Sequence, residues 1–181
     1  MIFPLFRRSP RRDTISALYG MIVAQARLPV LYRDYAVPDT VNGRFDLIVL
    51  HLVLLLDRMG QDDRLRPLGQ GVFDRFCQDM DDNLREMGIG DLAVPREMRH
   101  VAEAFYGREQ AYLTALAAIG DADLAATLRR NIYGGSASAP AERLAAYVRE
   151  AVGGLQAQDA ADLAAARLSF PAPASVAAPA G

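Results

Sequence analysis

Several residue types are scarce or missing from this 181-residue sequence, and each absence narrows its chemistry. There is no Trp and no Lys, and Cys77 is the single cysteine. A single cysteine excludes an intramolecular disulfide framework and fits a reducing compartment. Because Arg is the basic residue throughout, apart from two histidines, and Ala is abundant, we interpret the missing Lys as a bias of genome composition.

The sequence also lacks a long uninterrupted apolar run. The longest run, residues 47–56, is interrupted by His51, whereas a bilayer-spanning helix needs roughly 20 apolar residues. Residues 1–6 are apolar and precede an Arg cluster, which is the reverse of the order in a secretory signal. We therefore expect a buried core helix and a soluble cytoplasmic protein, with peripheral contact at the inner membrane as the alternative.

The composition favours one folded domain. At 51% hydrophobic and 23% charged residues, the chain has enough apolar surface to bury a core. The formal net charge is −2 and the isoelectric point is near 5.7, which gives no reason to expect DNA or another nucleic acid as a general partner.

Apolar periodicity predicts helices throughout and no alternating strand. We expect an all-α, single-domain, irregular bundle of about six to seven helices. A basic flexible segment (1–12) precedes the helical domain (13–169), and a disordered Pro/Ala-rich tail (170–181) follows it. The predicted helices span residues 13–28, 44–59, 70–87, 95–119, 121–133 and 138–153, with a weaker Ala-rich helix at 155–168. The breaks between them are a connecting segment (30–43) containing Asn42-Gly43, a second break (61–69) containing Pro67, and a joint at 134–136.

The third predicted helix carries the densest charge. Its apolar stripe contains Phe73, Phe76, Cys77, Met80, Leu84 and Met87. Beside or opposite that stripe lie Asp74, Asp79, Asp81, Asp82 and Arg85. A solvated helix face explains this pattern most simply. The alternative is an acidic docking surface for a basic partner.

Two stretches of this helix resemble known functional motifs, a calcium-binding loop and an enzyme's acidic motif, but each lacks a required feature. Asp79-x-Asp81-x-Asn83 resembles the start of an EF-hand, but Leu84 replaces the required Gly and Gly90 replaces the bidentate Glu. The acidic motif at 79–82 also resembles that of class II terpenoid cyclases, yet a small domain without Trp lacks the large aromatic cavity that such chemistry needs. We predict no metal, no cofactor and no catalytic set.

Three further residues have a structural interpretation, and Arg108 also has a second one. His51 in an apolar run is most simply a satisfied core or boundary residue. Gly107 interrupts a helix at a cost of about 1 kcal/mol, which suggests close backbone packing. Arg108 either pairs with a carboxylate or faces a partner.

The N-terminal Arg cluster (residues 7–12) predicts either a disordered basic terminus or weak association with anionic membrane or ribosomal RNA.

The sequence resembles the ubiquinol–cytochrome c chaperone family of alphaproteobacteria and mitochondria. The resemblance covers about residues 13–133. The motifs that carry it are Gly43-Arg44-Phe45-Asp46, Leu50-His51-Leu52, Phe73-Asp74-Arg75-Phe76, Asp79-Met80-Asp81-Asp82-Asn83-Leu84-Arg85-Glu86-Met87-Gly88, and Phe105-Tyr106-Gly107-Arg108.

The resemblance implies a helical, non-catalytic chaperone in biogenesis of the cytochrome bc1 complex that handles newly made cytochrome b. Mitochondrial relatives work with a small partner protein near the ribosome, so these are further expected partners. Carried onto matching positions, the expected contact residues are Asp46, His51, Asp74, Asp79, Asp81, Asp82, Arg85, Phe105, Tyr106 and Arg108. Two alternatives remain open: a general helical interaction module or regulator, and more remotely an all-α terpenoid-type enzyme.

Overall fold

The structure, a computed structural model, describes residues 10–176 of the chain. Within that range it is all α and contains no strand, which confirms the predicted fold class. Six helices have 11 or more residues, and α2 and α8 have five each. The helices are α1 (Pro10–Ala26), α2 (Pro29–Arg33), α3 (Val41–Gly60), α4 (Arg66–Glu86), α5 (Val94–Ala117), α6 (Ala122–Ile132), α7 (Ser138–Gln156) and α8 (Ala160–Ala164), followed by a 3-10 turn (Pro173–Ser175).

Helix α3 is the centre of the bundle because it is apolar nearly all round. Residues 46–55 are buried without interruption, and α1, α4, α5, α6 and α7 all pack against it. Fully burying a Leu, Val or Ile side chain contributes about 1.5–3 kcal/mol relative to leaving it exposed. The apolar run 47–56 is therefore the core helix that the sequence predicts.

The start of α3 differs from the prediction, because Asn42-Gly43 lies inside the helix. Thr40 is the N-cap, and its side-chain oxygen accepts a hydrogen bond from the Gly43 N–H at 3.1 Å. A Cβ atom on Gly43 would lie 2.0 Å from the carbonyl oxygen of Pro38. The glycine is required because the helix packs closely against the loop that precedes it, so its interpretation as a breaker was wrong.

Four other features of the helices also differ. Pro67 falls in the first turn of α4, where a missing N–H costs nothing, so it starts a helix instead of breaking one. Helix α7 continues through Gly153-Gly154 because its buried stripe runs on to Leu155. Part of the predicted connecting segment forms α2. The weak helix at 155–168 is reduced to α8.

Residues Arg11–Arg33 form the one stretch, within residues 10–176, that is long and apolar enough to cross a membrane by length and composition. In the structure this stretch is divided between α1 and α2. It places Leu18, Ile22 and Leu31 in the core with no exposed surface. Only 28% of its most apolar window is buried, so the stretch has an exposed face as well as a face in the core.

The C-terminal strap, which we define as residues 169–176, packs against the bundle where the sequence predicts a disordered tail. Pro173 and Val176 are buried, and Tyr35 donates a hydrogen bond from its hydroxyl to the Pro173 carbonyl at 2.7 Å. The difference arises because distant side chains contact this segment, which a local sequence pattern does not reveal. Of the predicted flexible segment, residues 10–12 form the first turn of α1, and residues 1–9 lie outside the described residues, as do tail residues 177–181.

Candidate functional site: a groove between α4 and α5

An open groove of about 340 Å³ lies where the C-terminal end of α3 meets α4 and α5. Gly69 lets the helices approach closely there, because a Cβ on it would lie 3.3 Å from the Cβ of Met59. The apolar side chains that line the groove are Leu56, Met59, Phe73, Phe105 and Tyr106. The groove therefore has a mainly apolar wall drawn from three helices.

Aromatic rings form the deepest part of this wall. Phe73 of α4 packs against Phe105 with ring centroids 4.8 Å apart and against Tyr106 at 6.0 Å. Phe76 supports Phe105 from below at 5.8 Å. Phe105 is only 1% exposed, whereas Tyr106 is 54% exposed. The cluster therefore presents one aromatic ring to solvent above a rigid base, an arrangement typical of binding hot spots.

Two charged side chains, Glu109 and Arg66, lie on the rim of the groove. Glu109 lines the groove, and its pKa is raised, first by burial and then by the neighbouring charge of Asp57. Arg66 also lines the groove, but its guanidinium donates to the Gly60 carbonyl at 3.0 Å and pairs with Asp63 at 2.9 Å. The rim therefore carries one side chain of each charge sign.

A buried ion pair joins α3 to α5 close to the aromatic cluster. Arg108 Nη2 lies 2.7 Å from Asp46 Oδ1, and Asp46 is 5% exposed. Burial raises the pKa of Asp46, and the charge of Arg108 opposes that rise. The guanidinium also lies over the Phe45 ring, 5.7 Å from its centroid. Of the two interpretations of Arg108, pairing with a carboxylate is the one that the structure shows.

His51 is fully buried, and its hydrogen-bond partners do not line the groove between α4 and α5. Its Nδ1 lies 2.7 Å from the Leu47 carbonyl, and its Nε2 lies 2.8 Å from the Tyr147 hydroxyl. Burial lowers its pKa to about 4, so the imidazole is neutral near pH 7. Their burial indicates that His51 and Asp46 hold the fold together, whereas Phe105 is buried and also lines the groove. The role of these three residues as partner contacts stays a prediction.

The acidic residues of α4 lie on the surface, away from the groove's centre. Asp79 accepts a hydrogen bond from the Tyr19 hydroxyl at 2.8 Å, and Asp81 pairs with Arg85 at 2.6 Å. Asp82 is exposed. Asp81 follows Phe73 by eight residues, about 12 Å along a helix. The structure therefore separates these acids from the aromatic cluster.

Asp74 connects the two regions. It is exposed and accepts a hydrogen bond at 2.8 Å from Gln70, which lines the groove. Arg85 also contacts Asp91 in the loop after α4. Only Phe105 and Tyr106 among the expected contact residues line the groove, with Asp74 and Arg108 beside it.

The enzyme-like motifs have a simple structural explanation. Asp79, Asp81 and Asn83 all lie on the continuous helix α4 and not in a loop. Within residues 10–176, no group of three or more His, Cys, Asp or Glu side chains is arranged to hold a metal ion. The carboxylates at 79–82 face solvent or neighbouring helices, whereas cyclase chemistry requires them to line an enclosed cavity.

Much of the groove could not be predicted from the sequence. Leu56, Met59 and Glu109 carry no signal beyond helical periodicity, because only tertiary packing brings them beside α4. Gly107 gave a misleading signal. A Cβ placed on it would meet nothing within 4 Å, so the hypothesis of close backbone packing at Gly107 was wrong.

Comparison with known proteins agrees with this architecture. A crystal structure described as the Cbp3 homolog from Brucella abortus superposes with a TM-score of 0.86 at 39% sequence identity, and the match covers 98% of this chain and 100% of that one. A Xenopus laevis protein named ubiquinol-cytochrome-c reductase complex assembly factor 1 is 28% identical over 149 residues. That alignment covers 81% of this chain and 74% of the Xenopus protein.

The family described as ubiquinol–cytochrome c chaperone matches residues 33–170. This range begins later than the resemblance in the sequence and extends through α6, α7 and α8. The Ala-rich helices, which contributed little to the resemblance, thus lie within the range that the family matches. With a match over most of its length, the chain belongs to the ubiquinol–cytochrome c chaperone family.

Proposed function

We propose that this chain is a non-catalytic assembly chaperone for the ubiquinol–cytochrome c reductase (bc1) complex, and that its client is newly made cytochrome b. Membership of the family supports a chaperone, and the name of the Xenopus relative supports the complex. The resemblance carried by the motifs supports cytochrome b. Because the client is a membrane protein, the proposed location is the cytoplasmic side of the inner membrane.

The observation that carries the proposal is the exposed ring of Tyr106 above Phe73 and Phe105. An apolar client segment laid in this groove would cover the ring and remove it from water. Burial of a central aromatic side chain supplies much of the energy at protein interfaces, while the polar rim contributes mostly orientation. Binding is therefore the activity for which this groove is suited.

The acidic surface of α4 has a second role in the proposal. Asp82 is exposed, and Asp81 and Arg85 neighbour it on the same helix. Surface charge changes the rate and orientation of encounter more than final affinity. We assign these residues to steering a client whose loops carry positive charge.

Capture of pulse-labelled cytochrome b tests the groove. Tyr106→Ala should lower the amount that coprecipitates with the chaperone about tenfold, since truncating a hot-spot aromatic costs 1–2 kcal/mol or more. Ile119→Ala is the matched control, because Ile119 is fully exposed in the loop after α5 and lies outside the groove. Equal capture by the two variants would place the client elsewhere.

The same assay tests the acidic surface. The double change Asp81→Arg and Asp82→Arg should slow capture, and added salt should diminish the difference because exposed charges are screened. A correctly folded double variant that captures cytochrome b at the normal rate at low salt would remove these residues from the proposal.

The proposal includes a small partner protein and the ribosome only as further partners. Their support is the resemblance to mitochondrial relatives. Of the four arginines to which an RNA or membrane contact was assigned, Arg7 and Arg8 lie outside the described residues. Arg11 and Arg12 are exposed in the first turn of α1, where Arg11 donates a hydrogen bond to the Pro67 carbonyl at 2.9 Å. A general interaction module or regulator is the alternative. It predicts that the bc1 complex assembles normally without this protein.

A further inference from the structure

The C-terminal strap lies in a second groove, built by residues from four separate parts of the bundle. Gln25 of α1, Tyr35 after α2, His51 of α3 and Tyr147 of α7 surround it. The Phe170 ring packs edge-on against His51, with centroids 5.2 Å apart at an angle of 87°. The strap is therefore held by side chains distant in sequence.

The groove recognises the backbone of the strap through two donors. Gln25 Nε2 donates to the Pro171 carbonyl at 3.0 Å, and the Tyr35 hydroxyl donates to the Pro173 carbonyl at 2.7 Å. Pro171 lies in the irregular stretch before the turn, and Pro173 begins the 3-10 turn that ends the strap, so the two donors fix the backbone on both sides of this change in conformation. Because proline has no N–H, neither position leaves a backbone donor unpaired against the bundle.

The first donor is positioned by the bundle itself. Gln25 Nε2 also donates to the Tyr147 hydroxyl at 2.9 Å. That hydroxyl donates to His51 Nε2 at 2.8 Å, since His51 Nδ1 must donate to the Leu47 carbonyl, which only accepts. The network ends at a helix backbone, so it keeps Gln25 oriented whether or not the strap is present.

The second donor is positioned in a similar way. Tyr35 packs edge-to-face against Tyr147 with centroids 6.0 Å apart, and the Arg143 guanidinium lies over its other side at 4.5 Å. The backbone carbonyl of Tyr35 accepts a hydrogen bond from the Tyr133 hydroxyl at 2.8 Å. Ring and backbone are both fixed by residues outside the strap.

We propose that this second groove is a binding site for extended peptides of the pattern aromatic-Pro-x-Pro. The strap, reading Phe170-Pro171-Ala172-Pro173, is its intramolecular occupant, and a segment of a partner polypeptide with the same pattern replaces it. Aromatic-lined grooves with fixed donors commonly bind proline-rich segments, which lose little conformational entropy on binding. This inference does not depend on the identity of the client in the first groove.

The connection to the strap is suited to release. Ala166 adopts a left-handed conformation with φ of 56°, which is unfavourable for a residue other than Gly. Beyond it, the strap's first residue is held by an exposed reciprocal pair of hydrogen bonds, in which Ser169 N donates to Gln158 Oε1 and Gln158 Nε2 donates to the Ser169 carbonyl, each at 2.8 Å. The strap thus enters the groove through a strained turn and a solvent-accessible contact.

Peptide exchange tests the proposal. A protease recognition site introduced after Arg167 in the full chain allows the strap to be cut in the folded protein, and a labelled peptide of residues 168–176 is then added. Fluorescence anisotropy should show the peptide binding to the cut chain. The uncut chain should bind it much more weakly, because the tethered strap competes at high effective concentration. A peptide with Phe170→Ala should bind the cut chain about tenfold more weakly.

Three results would overturn the inference. The first is a cut chain that keeps its helical circular dichroism and binds no peptide. The second is unfolding of the chain on cutting, which would make the strap an integral part of the fold. Exchange of straps between uncut chains to give a dimer would make a second copy the occupant in place of a partner polypeptide.

Discussion

Arg108 and Asp46 form an ion pair of 2.7 Å that joins α5 to α3 beside the aromatic groove, and Asp46 is almost inaccessible to water. Arg108→Ala leaves the carboxylate buried and unpaired, which should lower the free energy of unfolding by about 3 kcal/mol at pH 7. Urea denaturation measures this loss. The double variant Asp46→Ala and Arg108→Ala should lose less than Arg108→Ala alone, because it contains no orphaned charge.

Acid should partly rescue Arg108→Ala. Burial already raises the pKa of Asp46 in the folded protein, and removing the guanidinium raises it further. A group with a raised folded-state pKa favours folding as pH falls through that pKa, since the neutral carboxyl needs no partner. The loss relative to the parent protein should therefore be smaller at pH 4 than at pH 7. A loss independent of pH would contradict the assigned pairing.

Two glycines should respond in opposite directions to replacement by Ala. Gly43→Ala forces a Cβ to within 2.0 Å of a backbone oxygen and should destabilise the protein by about 2 kcal/mol. Gly107→Ala fills open space on a helix and should stabilise it by up to about 1 kcal/mol. Thermal unfolding of both variants measures the contrast. A Gly107→Ala protein less stable than its parent would show an unrecognised steric constraint at that position.

Acid should destabilise the protein through His51. Its pKa falls from 6.5 in the unfolded chain to about 4 in the folded one, so the unfolded state takes up the proton first. Stability should decline as pH falls below 6.5, by about 3 kcal/mol in total near pH 4. Denaturation between pH 4 and pH 8 measures this slope, together with contributions from other groups.

Proton NMR isolates the contribution of His51 from those of the other groups. In proton NMR, the buried His51 ring should keep the signal of its neutral form down to about pH 4. Protonation of His51 near pH 6.5 in the folded protein would refute its burial.

The fold was predictable where local patterns decide it. The period of apolar residues located the six longer helices, because each helix must bury one stripe. Errors came where tertiary packing overrides local signals. The sequence pattern predicts that Gly43 breaks a helix, but Gly43 lies in the first turn of α3 against the Pro38 carbonyl. Helix α7 continues through Gly153-Gly154 because Leu155 extends its buried face.

The candidate site was less predictable. Phe105-Tyr106 stood out as a motif, yet only the structure shows that one ring is buried and the other exposed. The groove's remaining wall, such as Met59, comes from the end of α3, and no pattern within one helix predicts which neighbour it meets. The strap was missed because its donors Gln25 and Tyr35 lie more than 130 residues away in sequence.

The most direct test of the central claim is a membrane difference spectrum, with immunoblotting of cytochrome b, in a strain that lacks this gene and in the same strain with the gene restored. The account predicts a specific loss of the b-type haem signal of the bc1 complex and of cytochrome b in the deletion strain, with both recovered on restoration. Normal bc1 content in the deletion strain would contradict the role in assembly.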